Sequence, residues 1–333
     1  MSWMLILLLH GITAAAPRTW TDVQGRTIEA EIVSASDQDV VVNHRDKDVT
    51  IPLARLSDQD RDFVKNWLAQ KEESTSSDEA KEPSGADRLR FDGRTLVTGG
   101  KMNLFTYPYT PEQLERHSKF KSKPQDTSWK LAISVPDDFD PTKPQRIFIA
   151  NTPVNNDAQR LSGNIGVFNA YSPACAASGW VCIAYDTNLG RSSHNGDLAL
   201  SLRKIFTEWP GSKSWQFAVG GFSGGAKASF QPLAYLIAND YNAIGVFLGG
   251  CNSVGNCKIW REEYKAPKTG YRKLKAFLST GKSDNLVPKS SIENVLRGLK
   301  DEGIRNTRSE LFDGGHTLNK SHIEDALKWF AEP

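Results

Sequence analysis

From Trp129 onward, short apolar runs of strand length alternate with longer amphipathic stretches of helix length. No other feature restricts the fold as much. A strand followed by a helix must return beside the first strand in the same direction, which builds a mostly parallel sheet covered on both faces. Residues 129–135, 146–150, 179–185, 215–220, 243–248, 275–280 and 309–312 read as strands. Residues 198–209, 291–299 and 323–330 read as helices. In such a sheet the chemistry is expected in loops at the carboxyl ends of the strands.

One of those loops holds Gly221-Phe222-Ser223-Gly224-Gly225, a match to G-x-S-x-G. In a chain with 26 glycines the pentapeptide alone says little. Its setting says more. A buried strand precedes it and Ala226-Lys227-Ala228-Ser229-Phe230 opens a helix. A strand-to-helix elbow lifts a Ser hydroxyl above the sheet, and its sharp turn needs small neighbours. The helix N-terminus turns backbone N–H groups toward a developing oxyanion.

Ser is a weak nucleophile unaided, so a base and an orienting acid are required. Asp284 lies in Gly281-Lys282-Ser283-Asp284-Asn285-Leu286-Val287-Pro288, just past one strand, and His316 in Asp313-Gly314-Gly315-His316, just past the last. Both are expected at the edge where Ser223 projects, in the order Ser, acid, His. His316 would accept the Ser223 proton and Asp284 would fix its tautomer. His322 is the rival base, but beside Ser321 at a helix start it reads as a capping residue. Asp186 is the rival acid, but it precedes Ser223.

These residues resemble the α/β-hydrolase superfamily, notably its secreted esterase and polyhydroxyalkanoate-depolymerase-like branch. The likeness spans roughly residues 125–333 and includes the Ser134-Val135-Pro136-Asp137-Asp138-Phe139-Asp140 run. It implies an α/β-hydrolase fold and an acyl-enzyme mechanism with no metal or cofactor. The first oxyanion donor would be the Gly224 backbone. The second would be Thr152 or Val154, because Pro153 between them has no N–H. Asn188, Arg191 and His194, in a polar loop at the same edge, are candidate substrate contacts. The expected reaction is hydrolysis of a small-molecule or polymer ester. A serine peptidase of the same fold, and a non-catalytic surface-binding protein, are the other readings.

The N-terminal part reads differently. Residues 1–16 hold an apolar run followed by Thr13-Ala14-Ala15-Ala16, the form of a cleaved export signal, which places the protein outside the cell or in the periplasm. No run is long enough for a stable membrane span. Residues 17–70 carry short alternating strands, then Ser57 as a helix cap with Asp60 three positions on, and Phe63, Val64, Trp67 and Leu68 on one helical face. This unit resembles the Sla-one homology domain, an SH3-like module, through Arg18-Thr19-Trp20-Thr21-Asp22, Ile28–Val33 and Ile51–Asp60. That likeness implies a binding role, with a protein or cell-surface ligand as partner. Residues 71–89 lack core-forming side chains and read as a flexible linker to a domain over 90–333.

Lys+Arg 41 against Asp+Glu 39 leaves a formal charge of +2, which gives no footprint for nucleic acid. The cysteines, Cys175, Cys182, Cys251 and Cys257, lack metal-ligand spacing. In an exported chain they form either disulfides or four buried thiols.

Overall fold

Apolar alternation explains the first strands of the molecule, described here from a computed structural model. The described residues are 18–36, 38–44, 47–76, 89–118, 127–151, 161–185 and 194–333. The chain divides into two compact units, 1–83 and 84–333.

In the first unit, β1 (Arg18–Thr21), β2 (Thr27–Ala35), β3 (Asp39–His44) and β4 (Lys47–Pro52) form an antiparallel sheet in sequence order. Alternation puts Trp20, Ala30, Val40 and Val42 on one face, where Val64 of α1 (Asp58–Ser76) closes the core. Asp60 is buried and ties the helix to the sheet. Its carboxylate accepts from the Thr21 N–H (2.7 Å) and the Ser57 hydroxyl (3.0 Å), and it pairs with Arg18. A buried carboxylate is tolerable only with such donors. The helix continues to Ser76, six residues beyond the boundary expected at residue 70. Lys71, Glu72 and Glu73 are good helix formers, so the helix runs on although this stretch of sequence is polar.

The second unit begins with a two-stranded ribbon, β5 (Arg90–Phe91) and β6 (Arg94–Thr95). Its main sheet uses β7 (Asn103–Pro108), β8 (Ser128–Ser134), β9 (Arg146–Asn151), β10 (Val181–Tyr185), β11 (Gln216–Phe222), β12 (Asn242–Gly249), β13 (Lys275–Gly281) and β14 (Asn306–Phe312). The order across it is β14-β13-β12-β11-β9-β10-β8-β7. β8 is antiparallel to both neighbours, and every other pairing between adjacent strands is parallel. The segment before Trp129 supplies the edge strand β7 and α2 (Pro111–Ser118).

Side chains of β9 show why both faces are covered. Ile147 and Ile149 enter one core, Phe148 and Ala150 the other. The first is closed by α4 (His194–Glu208), α5 (Gly224–Ala228), α6 (Phe230–Ala238), α7 (Gly255–Glu263), α8 (Lys268–Tyr271) and α9 (Lys289–Asp301). The second is closed by α3 (Leu161–Ala177) and α10 (Lys320–Ala331). The chain runs from β9 to β10 on one side, then crosses to β11 on the other. That reversal opens a crevice beyond the carboxyl ends of β9 and β11. Among the described residues no helix is long and apolar enough to cross a membrane.

All four cysteines are free and buried. Burial pushes the Cys251 thiol up to about 11 and the Cys257 thiol up to about 12. Thiolates are the reactive form, so these groups are protected twice, by access and by protonation. A chromogenic disulfide reagent at pH 8 should titrate no thiol in the folded protein and four after denaturation. Fewer than four in the denatured protein would reveal bridges.

Candidate active site

Ser223 sits between β11 and α5 with φ 55° and ψ −117°, a conformation that costs a non-glycine residue about 1–3 kcal/mol. Its neighbours hold it there. The Ser223 N–H donates to the Gly249 carbonyl at 2.7 Å, which ties the turn to the end of β12. A Cβ on Gly221 would stand 2.4 Å from the Gly225 carbonyl carbon and 2.8 Å from the Asn151 oxygen. Only glycine lets the strand end, the helix start and the tip of β9 approach this closely. Pro232 lacks an N–H, so the helical path breaks at Ser229 and continues as α6.

The Ser223 hydroxyl lies 2.9 Å from His316 Nε2, and His316 Nδ1 lies 2.7 Å from Asp284 Oδ2. An ionised carboxylate only accepts, so Nδ1 carries the ring proton and Nε2 presents its lone pair to the hydroxyl. Asp284 is buried, and its other oxygen accepts from the N–H groups of Leu286 (2.9 Å) and Val287 (3.2 Å). The carboxylate therefore folds its own loop and orients the imidazole.

His316 comes from the loop after β14, and two glycines bring it to the site. Gly250 has φ 55°, and a Cβ there would meet Phe222 at 2.7 Å and His316 Cε1 at 2.9 Å. Its bare backbone lets the Phe222 and His316 rings lie side by side, with centroids 4.7 Å apart. A Cβ on Gly281 would fall 2.2 Å from the Gly315 oxygen and 2.4 Å from the Gly314 oxygen. The loop is pinned further where the Ser283 N–H donates to the Gly314 carbonyl at 2.9 Å.

The structure thus brings together Ser223, Asp284 and His316, and it places the Gly224 backbone at the first position of α5, where an N–H lacks a helical acceptor. Thr152, Val154, Asn188, Arg191 and Asp186 lie outside the described residues, and His194 is described only as the first residue of α4. His322 does not cap α10. Asn319 does, accepting from the N–H groups of Ser321 and His322. The His322 ring is buried against the Ser279 hydroxyl at 3.0 Å and Glu310. Gly250 and Asn252, from the loop after β12, also belong to this cluster, and Asn252 Nδ2 donates to the Leu286 carbonyl at 3.1 Å.

No family model and no curated protein matches the chain. Solved structures with some similarity include an esterase from Pyrococcus furiosus, at 12% identity and a TM-score of 0.44, covering 70% of this chain and 92% of that one. An esterase from the archaeon Pyrobaculum calidifontis has 12% identity and a TM-score of 0.43, covering 69% and 82%. Lipase A from Candida antarctica has 13% identity and a TM-score of 0.41, covering 57% and 69%. At this level of likeness the neighbours carry no inference about this chain, and its chemistry has to come from its own residues.

The close approach at Gly281 is testable. Gly281→Ala should force the Gly314–His316 segment outward and lower stability by about 1–3 kcal/mol, read from urea denaturation. An unchanged midpoint would show that the loop yields freely.

Proposed function

We propose that the second unit is a serine hydrolase of the α/β-hydrolase kind that cleaves carboxylic esters, with Ser223 as nucleophile, His316 as base and Asp284 as the orienting acid. One observation carries this reading. An unbroken hydrogen-bond relay runs from a buried carboxylate through an imidazole to a Ser hydroxyl held on a strained elbow.

In this scheme the Ser223 oxygen attacks the ester carbonyl carbon while its proton passes to His316 Nε2. Asp284 stabilises the resulting imidazolium and keeps the ring in one tautomer. The carbonyl electrons move to oxygen, and the Gly224 N–H is proposed to donate to that oxyanion. Thr152 or Val154 would supply the second donor. The intermediate collapses as His316 gives its proton to the leaving alcohol, and an acyl-enzyme remains. Water then attacks the acyl carbon, His316 takes its proton, and the acid departs as the proton returns to Ser223. None of these steps draws on a metal or cofactor.

The first unit is proposed to be an SH3-like binding module that tethers the hydrolase to a protein or surface ligand. Its support is the four-stranded antiparallel sheet closed by one helix, together with the sequence likeness. The apolar run before residue 17 supports action outside the cytoplasm.

A fluorophosphonate probe should label the wild type on Ser223 and should not label Ser223→Ala. His316→Ala should label far more slowly. Asp284→Asn should keep the fold and lose roughly 10⁴-fold in turnover of a chromogenic ester, because an amide no longer selects the productive tautomer. A wild-type chain that takes no label would sink the proposal.

A further inference from the structure

The loop that supplies Asp284 also carries an exposed apolar side chain. Leu286 is 60% exposed, while the next residue, Val287, is 2% exposed. A single exposed Leu on a protein surface needs no explanation. Leu286 differs because its backbone is fixed at both polar groups. Its N–H donates to Asp284 Oδ1 at 2.9 Å, and its carbonyl accepts from Asn252 Nδ2 at 3.1 Å. With Val287 anchored in the core, the side chain cannot turn inward without breaking the bond to the acid. The position is also set. Asp284 holds Leu286 on one oxygen and His316 on the other, so the Leu286 nitrogen lies within about 8 Å of the imidazole. The ring and the bond to Ser223 add about 5 Å, so the Leu286 nitrogen lies within about 13 Å of the Ser223 oxygen, a span that the Leu286 side chain and a ligand chain of about six carbons cover together.

Resting on the ester-hydrolase reading, we infer that Leu286 is a substrate contact that selects esters with an apolar group flanking the scissile carbonyl. The fixed backbone makes it a pre-formed wall, so an apolar flank gains buried area with little ordering cost. Phe222, half-buried beside His316, adds apolar surface next to the nucleophile. The flank is either the acyl chain or the alcohol. The shared chemistry is a short hydrocarbon, and the two sources separate by experiment.

Two ester series test this with the full chain: p-nitrophenyl esters from acetate to octanoate, and acetate esters of alcohols from methyl to hexyl. The readout is kcat/KM for the six-carbon member relative to the shortest. Leu286→Ala should lower that ratio about tenfold in one series, since losing one or two methylene contacts in an apolar site changes discrimination by about that much. Leu286→Met, of similar volume, should restore it. The series that responds names the flank. Unchanged ratios in both series, or equal losses in the Ala and Met variants, overturn the inference. Fluorophosphonate labelling of each variant shows whether the relay is intact. A wild type that labels and hydrolyses these esters while the Leu286 variants keep its ratios overturns the inference alone. A wild type that turns over neither series overturns the ester reading together with it.

Discussion

The approach of Gly221 to Gly225 and Asn151 is the contact on which the site depends. Three pieces of chain meet there at distances that leave no room for a methyl group: the end of β9, the end of β11 and the start of α5. The meeting forces the backbone of Ser223 into a positive φ, which the chain would not otherwise adopt. What holds it is burial on either side. Phe217, Val219, Ala226 and Phe230 are fully buried, and each such side chain contributes about 1.5–3 kcal/mol where a large apolar group leaves water. The strain is small against that total, so the elbow is a consequence of the core beneath it.

Asp284 organises the other half of the site. A lone buried carboxylate is costly, and this one has a donor for each oxygen. One oxygen closes the loop through Leu286 and Val287, and the other meets His316. The same hydrogen bond that shapes the acid's loop fixes where Leu286 stands, which couples the proposed chemistry to the proposed selectivity. Asn252 joins that loop to the loop after β12. Four successive strand ends, β11 to β14, thus contribute to one cluster.

The strands of the second unit were legible because a buried parallel strand needs a run of apolar residues and little else. Their ends were legible to within a few residues. The last strand begins at Asn306 and not Ser309, since its exposed outer residues break the apolar pattern. The edge strand β7 was not recognised, because exposed Thr106 and Pro108 interrupt its apolar pattern. Residues 71–76 were read as linker for a related reason: a polar helical turn and a solvated linker have the same composition. His322 was assigned to a cap because it stands beside Ser321 at a helix start, where Ser is an ordinary cap signal. Asn319, three residues before His322, has the better geometry and accepts from two N–H groups.

The sequence alone determined the alternation of strands and helices, the elbow around Ser223, and the order in which Ser223, Asp284 and His316 appear. Each is local: periodicity, small residues around a turn, and position relative to a strand end can be read from neighbours in the chain. Only the tertiary structure decided that the three side chains come within hydrogen-bond reach, that Gly250 and Gly281 make room for His316, and that Leu286 faces outward. Those outcomes depend on residues 32 to 93 positions apart being brought together by sheet order, and sheet order is a property of the whole core.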